Sequence, residues 1–261
     1  MPTNPAPMLR IKDLSASIGG QEILRDVNLE MAQSDWLAVV GGSGAGKSTL
    51  LRAVMGLFRP ARPTAGQIEF NGQARRFADA NKARMAGIAF VPQSPAHGFD
   101  PLRRLRWQWD QLARHNQAAA GRDRREILAA LGLPDLGSSY PHQWSRGMQQ
   151  RLLLAMALAD APKLLILDEP TSALDPLIAA QVLQETQRLS KERNIAVMMV
   201  THDLSLAARF ANQIAIMQAG RVVESGSADQ LLCDPKHPYS RELVSYRGWH
   251  RAELDRRHAA E

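Results

Sequence analysis

The chain has 261 residues, 45% hydrophobic and 22% charged, with a formal net charge of +6; these proportions exclude a disordered or collagenous chain and leave room for one large domain or two small ones. A single cysteine, Cys233, excludes an internal disulfide and a cysteine-based metal site, and suits a reducing cytosol. No apolar run reaches the ~18 residues that span a bilayer, and Met1–Pro7 is a Pro-rich lead-in without the charged start and apolar core of an export signal.

Leu9–Ile18 and Gln21–Met31 alternate with the period of strands around Gly19-Gly20, which predicts a hairpin and a small antiparallel sheet at the start of the chain. Trp36–Val40 is an apolar run ending in glycines, as expected of a strand buried on both faces, and Lys47–Phe58 follows with a helical pattern. Further strands are predicted over Gln67–Phe70, Gly87–Val91, Leu164–Leu167, Ala196–Val200, Gln213–Gln218 and Arg221–Ser225, with helices over Pro101–Leu131 and Met148–Asp160. The middle of the chain, roughly 94–160, reads as a helical subdomain inserted into an α/β core, and the charged tail 246–261 as a surface helix. The Arg groups 103–106, 122–125 and 256–257 could meet nucleic-acid phosphates or anionic lipid, but acidic neighbours beside two of them favour solvated faces.

Gly41-Gly42-Ser43-Gly44-Ala45-Gly46-Lys47-Ser48-Thr49 matches the phosphate-loop pattern and lies between a predicted strand and a predicted helix, where that pattern has mechanical meaning. Glycines let the backbone curl until successive N–H groups face phosphate oxygens; the helix adds its positive end, Lys47 neutralises charge and the Ser48 hydroxyl reaches Mg²⁺. This implies a nucleoside triphosphate ligand. A second apolar strand ends in Asp168-Glu169, two carboxylates suited to orienting a metal-bound water and to accepting the proton of an attacking water.

With these residues in place, the sequence from about Leu9 to Tyr239 resembles the ATP-binding-cassette ATPases. The resemblance adds four more elements in family order. Gln93 is similar to the Q-loop glutamine, which touches metal and attacking water. Trp144-Ser145-Arg146-Gly147-Met148 stands in place of the signature, followed by Asp175 of the D-loop and by His202, similar to the switch histidine at the γ-phosphate. What the resemblance implies is an α/β fold, a P-loop NTPase cassette over residues 8–245 with a RecA-like core, a small antiparallel β-subdomain and an inserted helical subdomain. It also implies ATP and Mg²⁺ as cofactors, with Ser48, Gln93 and Asp168 toward the metal and Glu169, His202 and Gln93 in catalysis. The family closes two cassettes head to tail, so Ser145, Arg146, Gly147, Met148 and Asp175 would serve the partner's ATP.

Two positions depart from the family pattern. Ile18 stands where an aromatic usually stacks on adenine, which removes a stacking gain of about 0.5–1.5 kcal/mol. Arg146 replaces a signature glycine, where it would either crowd the backbone or add a cation beside phosphate, while Met148 occurs in importer relatives. The segments 93–102 and 224–240, with His237-Pro238-Tyr239, are similar to ATPases of bacterial peptide, nickel and metallophore importers. The expected partners are therefore transmembrane permease subunits, docked on the helical insert around Arg103–Trp109, a second cassette in a homo- or heterodimer, and a solute-binding protein. Nucleic acid is not expected, and the chain is expected on the cytoplasmic side of the inner membrane as a peripheral subunit.

Overall fold

A computed structural model of the chain describes residues 7–75, 87–115 and 122–246. The expected surface helix over 246–261 therefore lies outside the described residues, apart from Tyr246. The structure divides into two units, Met1–Arg84 with Val200–Glu261 and Met85–Met199.

The first unit opens with the hairpin β1 (Leu9–Ile18) and β2 (Gln21–Met31). Gly19 and Gly20 have φ of 57° and 86°, and a two-residue turn that needs positive φ twice suits the right-handed twist of the paired strands. β1 buries Leu9, Ile11, Leu14 and Ala16. The irregular spacing of that set follows from register shifts after Ile11 and Leu14. β4 (Arg62–Phe70) pairs with the other edge of β1, and β5 (Gln73–Arg75) completes a four-stranded sheet in the order β2-β1-β4-β5. The fully buried β3 (Trp36–Val40) runs parallel to β9 (Gln213–Gln218), which turns through Ala219-Gly220 into antiparallel β10 (Arg221–Ser227). Helices α1 (Lys47–Val54), α6 (Leu204–Phe210) and α7 (Ala228–Cys233) belong to this unit, whose last described residues, 238–246, are helical.

The second unit holds β6 (Ile88–Val91), β7 (Leu164–Asp168) and β8 (Ala196–Thr201) in the order β8-β7-β6, with β6 and β7 parallel and β8 ending at the unit boundary. Its helices are α2 (Leu105–His115), α3 (Arg122–Ala130), α4 (Arg146–Ala159) and α5 (Pro176–Glu192). α4 buries Leu152, Leu153, Leu154, Ala155, Ala157, Leu158 and Ala159 in almost unbroken succession, the pattern of a helix enclosed on most sides rather than lying on a surface.

The helices end by local chemistry. α1 stops at Val54 rather than Phe58 because Gly56 takes φ 73° and the Leu57 and Gly56 amides return to the carbonyls of Arg52 and Ala53, a closure that satisfies the last carbonyls. Gly132 ends α3 in the same way, and Asn194, at φ 53°, ends α5. The carbonyls of Leu131 and Gly132 also accept from the Arg151 guanidinium at 3.0 and 2.9 Å.

Candidate nucleotide-binding site

In the first unit the loop 41–46 joins β3 to α1. Gly44 and Gly46 have φ of 76° and 99°, conformations that side chains rarely adopt. Gly41 is glycine for a different reason, since a Cβ there would lie 2.3 Å from the Met217 carbonyl oxygen of β9. The ammonium of Lys47 donates to the carbonyls of Gly41 and Gly42 at 2.7 and 2.9 Å. α1 begins at Gly46 without a side-chain cap and carries no acid in its first turn. Its leading N–H groups, its positive end and Lys47 together form a donor set that fits a polyphosphate and would repel a cation. Ser48 is exposed and Thr49 half-buried on the first turn.

Ile18 closes the β1–β2 hairpin, paired with Gln21 and half-buried. His202 is exposed directly after β8, on a link pinned from both sides. The Thr201 hydroxyl accepts the Asp203 amide at 3.0 Å, and the Asp203 carboxylate caps α6 by accepting the amides of Ser205 and Leu206 at 2.7 and 3.2 Å. A residue between two such restraints has little backbone freedom left.

In the second unit Asp168 ends β7 and Glu169 follows with φ 46°. For a non-glycine residue that conformation costs on the order of 1–3 kcal/mol and persists where the surroundings impose it. Here the turn is imposed by the Ser172 amide, which donates to the Glu169 carbonyl at 3.1 Å. The Ser172 hydroxyl reaches the Gln93 carbonyl at 3.5 Å, so Gln93 and Glu169 are held around one serine. Gln93 itself is exposed. The neighbouring Pro92 carbonyl accepts from the Gln150 amide at 3.1 Å, and Gln150 is 2% exposed on α4. Sequence reading places Ser172 at the start of the D-loop and Gln150 just after the signature, without these contacts. Gln150 carried a signal, a polar residue on the apolar face of a helix.

The signature residues start α4 two positions earlier than the apolar period indicated. Ser145 is the N-cap, its hydroxyl accepting the Met148 amide at 3.2 Å, and a hydroxyl used as acceptor keeps its own hydrogen to donate. Arg146 is exposed at the first helical position. Gly147 is tightly placed, because a Cβ there would meet Leu174 Cδ2 at 3.0 Å. Only the second of the two signature glycine positions is thus crowded from within the chain, which explains how arginine is accommodated at the first. Asp175 caps α5 through the Ile178 amide at 3.0 Å, with Pro176 next, a start pattern readable from sequence.

Among the described residues, no group of three or more His, Cys, Asp or Glu is placed to hold a metal ion on its own. Ser48, exposed on the first turn of α1, offers the kind of oxygen donor that Mg²⁺ takes beside phosphate oxygens and water.

Residues 24–172 match the model of the ABC transporter family. The chain belongs to the ABC transporter family. Over 252 residues it is 36% identical to the dipeptide transport ATP-binding protein DppD of Escherichia coli (strain K12), a match covering 91% of this chain and 77% of that protein. It is also 36% identical over 254 residues to the oligopeptide transport ATP-binding protein OppD of Bacillus subtilis (strain 168), covering 91% and 71%. Among solved structures, an ATP-binding subunit of an ABC transporter superposes with a TM-score of 0.76 at 30% identity, covering 86% of this chain and 91% of that one. A dimeric ATP-binding cassette in a post-hydrolysis state, bound to ADP and Pi, gives 0.71 at 28% identity, covering 85% and 99%.

The chain thus has the ABC cassette fold, binds ATP and couples its hydrolysis to transport. ABC ATPase subunits work with transmembrane permeases and dimerise. Among the described residues of this cassette, no helix is long and apolar enough to cross a membrane.

Proposed function

We propose that this cassette powers the import of peptides as a peripheral subunit on the cytoplasmic side of the inner membrane, with a permease, a second cassette and a solute-binding protein. The observation that carries the reading is the match over 91% of the chain to proteins named for dipeptide and oligopeptide transport. The same relatives favour peptide over the nickel and metallophore cargo that the His-Pro-Tyr segment also allowed.

In this reading the amides of residues 43–48 and the Lys47 ammonium bind the phosphates, and Ile18 covers the adenine by area rather than by stacking. Ser48, Asp168 and Gln93 would hold Mg²⁺, which would supply positive charge against the phosphate oxygens. Glu169 accepts the proton of the attacking water. Gln93 orients that water and His202 steadies the γ-phosphate. Ser145, Arg146, Gly147, Met148 and Asp175 act on the nucleotide held by the partner cassette.

The test is ATP turnover by the complete transporter in proteoliposomes with its solute-binding protein. Peptide-loaded binding protein is expected to raise turnover and deliver peptide inside. Stimulation by nickel or a metal chelate, with none by peptide, would overturn the cargo.

A further inference from the structure

One contact to the phosphate loop comes from far along the chain. The Tyr239 hydroxyl accepts the Gly42 N–H at 3.1 Å across 197 positions. Gly42 is exposed and lies at the outer end of the loop, while Tyr239 is half-buried in the first turn of helical residues 238–246.

The tyrosine is itself held in place. Glu224 of β10 accepts the amides of Lys236 and His237 at 2.8 and 2.9 Å, and His237 Nδ1 accepts the Tyr239 amide at 3.2 Å. The Arg241 guanidinium donates to the carbonyls of Pro235 and Lys236 at 3.2 and 2.8 Å. Pro238 fixes one backbone angle just before the ring.

A second brace reaches the same loop from the β9–β10 turn. The Gly220 amide donates to the Ala45 carbonyl at 3.1 Å, and the Gly220 carbonyl accepts the Arg25 amide at 2.9 Å. A Cβ on Gly220 would lie 2.3 Å from the Ile23 carbonyl oxygen, so this approach requires glycine. The loop is gripped at Gly42 and at Ala45, both times by chain that follows β9.

We propose that Tyr239 is a positioning residue of the nucleotide site, whose hydroxyl fixes the Gly42 end of the loop so that the amides after it are preset for phosphate. The inference rests on the reading that residues 41–49 bind ATP. Holding a binding loop in its bound form lowers the ordering cost on association, so the effect belongs in affinity rather than in the chemical step. His237-Pro238-Tyr239 thereby acquires a role that does not depend on cargo.

Tyr239→Phe keeps the ring and removes only the hydroxyl. Loss of one neutral hydrogen bond predicts MgATP binding weaker by about 3- to 10-fold. KM for ATP should rise by a similar factor, with kcat held within about twofold. Hydrogen exchange at the Gly42 amide should accelerate while the melting temperature stays at the wild-type value. Glu224→Gln, which weakens the anchor of the tyrosine, should shift affinity and Gly42 exchange in the same direction by less. Wild-type ATP affinity and Gly42 exchange in Tyr239→Phe would overturn the proposal, as would parallel losses of kcat and melting temperature at unchanged KM. Lys47→Ala separates the two levels. If Lys47→Ala loses ATP while Tyr239→Phe binds normally, the tyrosine's role fails alone; if Lys47→Ala binds ATP as wild type does, the nucleotide reading fails.

Discussion

In the proposed mechanism Lys47 and Glu169 carry separable parts of the reaction, one belonging to binding and the other to proton transfer. Lys47→Ala removes the only flexible cation within the phosphate loop sequence and is expected to abolish ATP binding in a direct titration. Glu169→Gln keeps size and polarity but cannot accept a proton, so ATP should still bind while turnover falls by about 100-fold or more; normal hydrolysis would remove the carboxylate from its role. Arg146 poses a different question. Its exposed guanidinium adds positive charge to a helix end that already favours anions, a contribution on the order of 0.3–1 kcal/mol, or about 2- to 5-fold. Arg146→Gly should therefore weaken ATP-driven pairing with a second cassette by that factor, measured by light scattering, and unchanged pairing would show that the side chain faces bulk solvent. The residues proposed to carry the chemistry were legible in sequence because they cluster in short motifs with fixed spacing. The contacts of Ser172, Gln150 and Tyr239 were not, since each is made to a backbone partner that the sequence places 79, 58 or 197 positions away.

Elements were legible where burial imposed a period. β9 lies over the expected Gln213–Gln218, and the β1–β2 hairpin over the expected residues, because alternation and the Gly-Gly turn agree. β4 begins five residues before the expected Gln67, and its early part, Arg62–Gly66, is mostly exposed, so pairing with β1 rather than apolar pattern makes it a strand. The stretch expected to be helical over Pro101–Leu131 is described as two elements, α2 and α3, and residues 116–121 between them lie outside the described residues. The segment that carries Tyr239 is joined to β10 by a titratable group. Burial pushes the Glu224 carboxyl up, but the Lys236 amide, the Ser240 hydroxyl and the amide and charge of His237 together hold it below its ordinary value. A carboxylate with a lowered folded-state pKa contributes stability that is present above its unfolded pKa of about 4.3 and is lost as pH falls through the folded value. The melting temperature of the wild type should therefore exceed that of Glu224→Gln at about pH 7, and the gap should close in acid below about pH 4. A gap independent of pH would mean that the charge of Glu224 contributes nothing.

At the scale of the whole molecule, part of the basic character that first suggested nucleic acid is occupied within the chain, as the described residues around α2 show. Arg124 pairs with Asp110 and Asp135 at 3.6 and 3.9 Å, while Arg103 and Arg104 lie over the rings of Trp107 and Tyr140 at 4.8 and 5.8 Å. The two tryptophans of α2 divide the work expected of them together: Trp109 is 1% exposed in the core, whereas Trp107 is 43% exposed. Leu102, just before α2, is 83% exposed. Large apolar side chains left in water beside cations fit a surface that closes against another protein, and a cassette that couples hydrolysis to transport needs such a surface toward its permease. Replacing Leu102 with Ser and Trp107 with Gln should leave ATP binding by the purified cassette unchanged, since neither residue is part of the phosphate loop or its braces. The same pair of substitutions should lower the fraction of cassette that co-purifies with the permease by about tenfold, the effect of losing roughly 1.4 kcal/mol at an apolar anchor. Full retention of the permease by the double variant would place the docking surface elsewhere on the cassette.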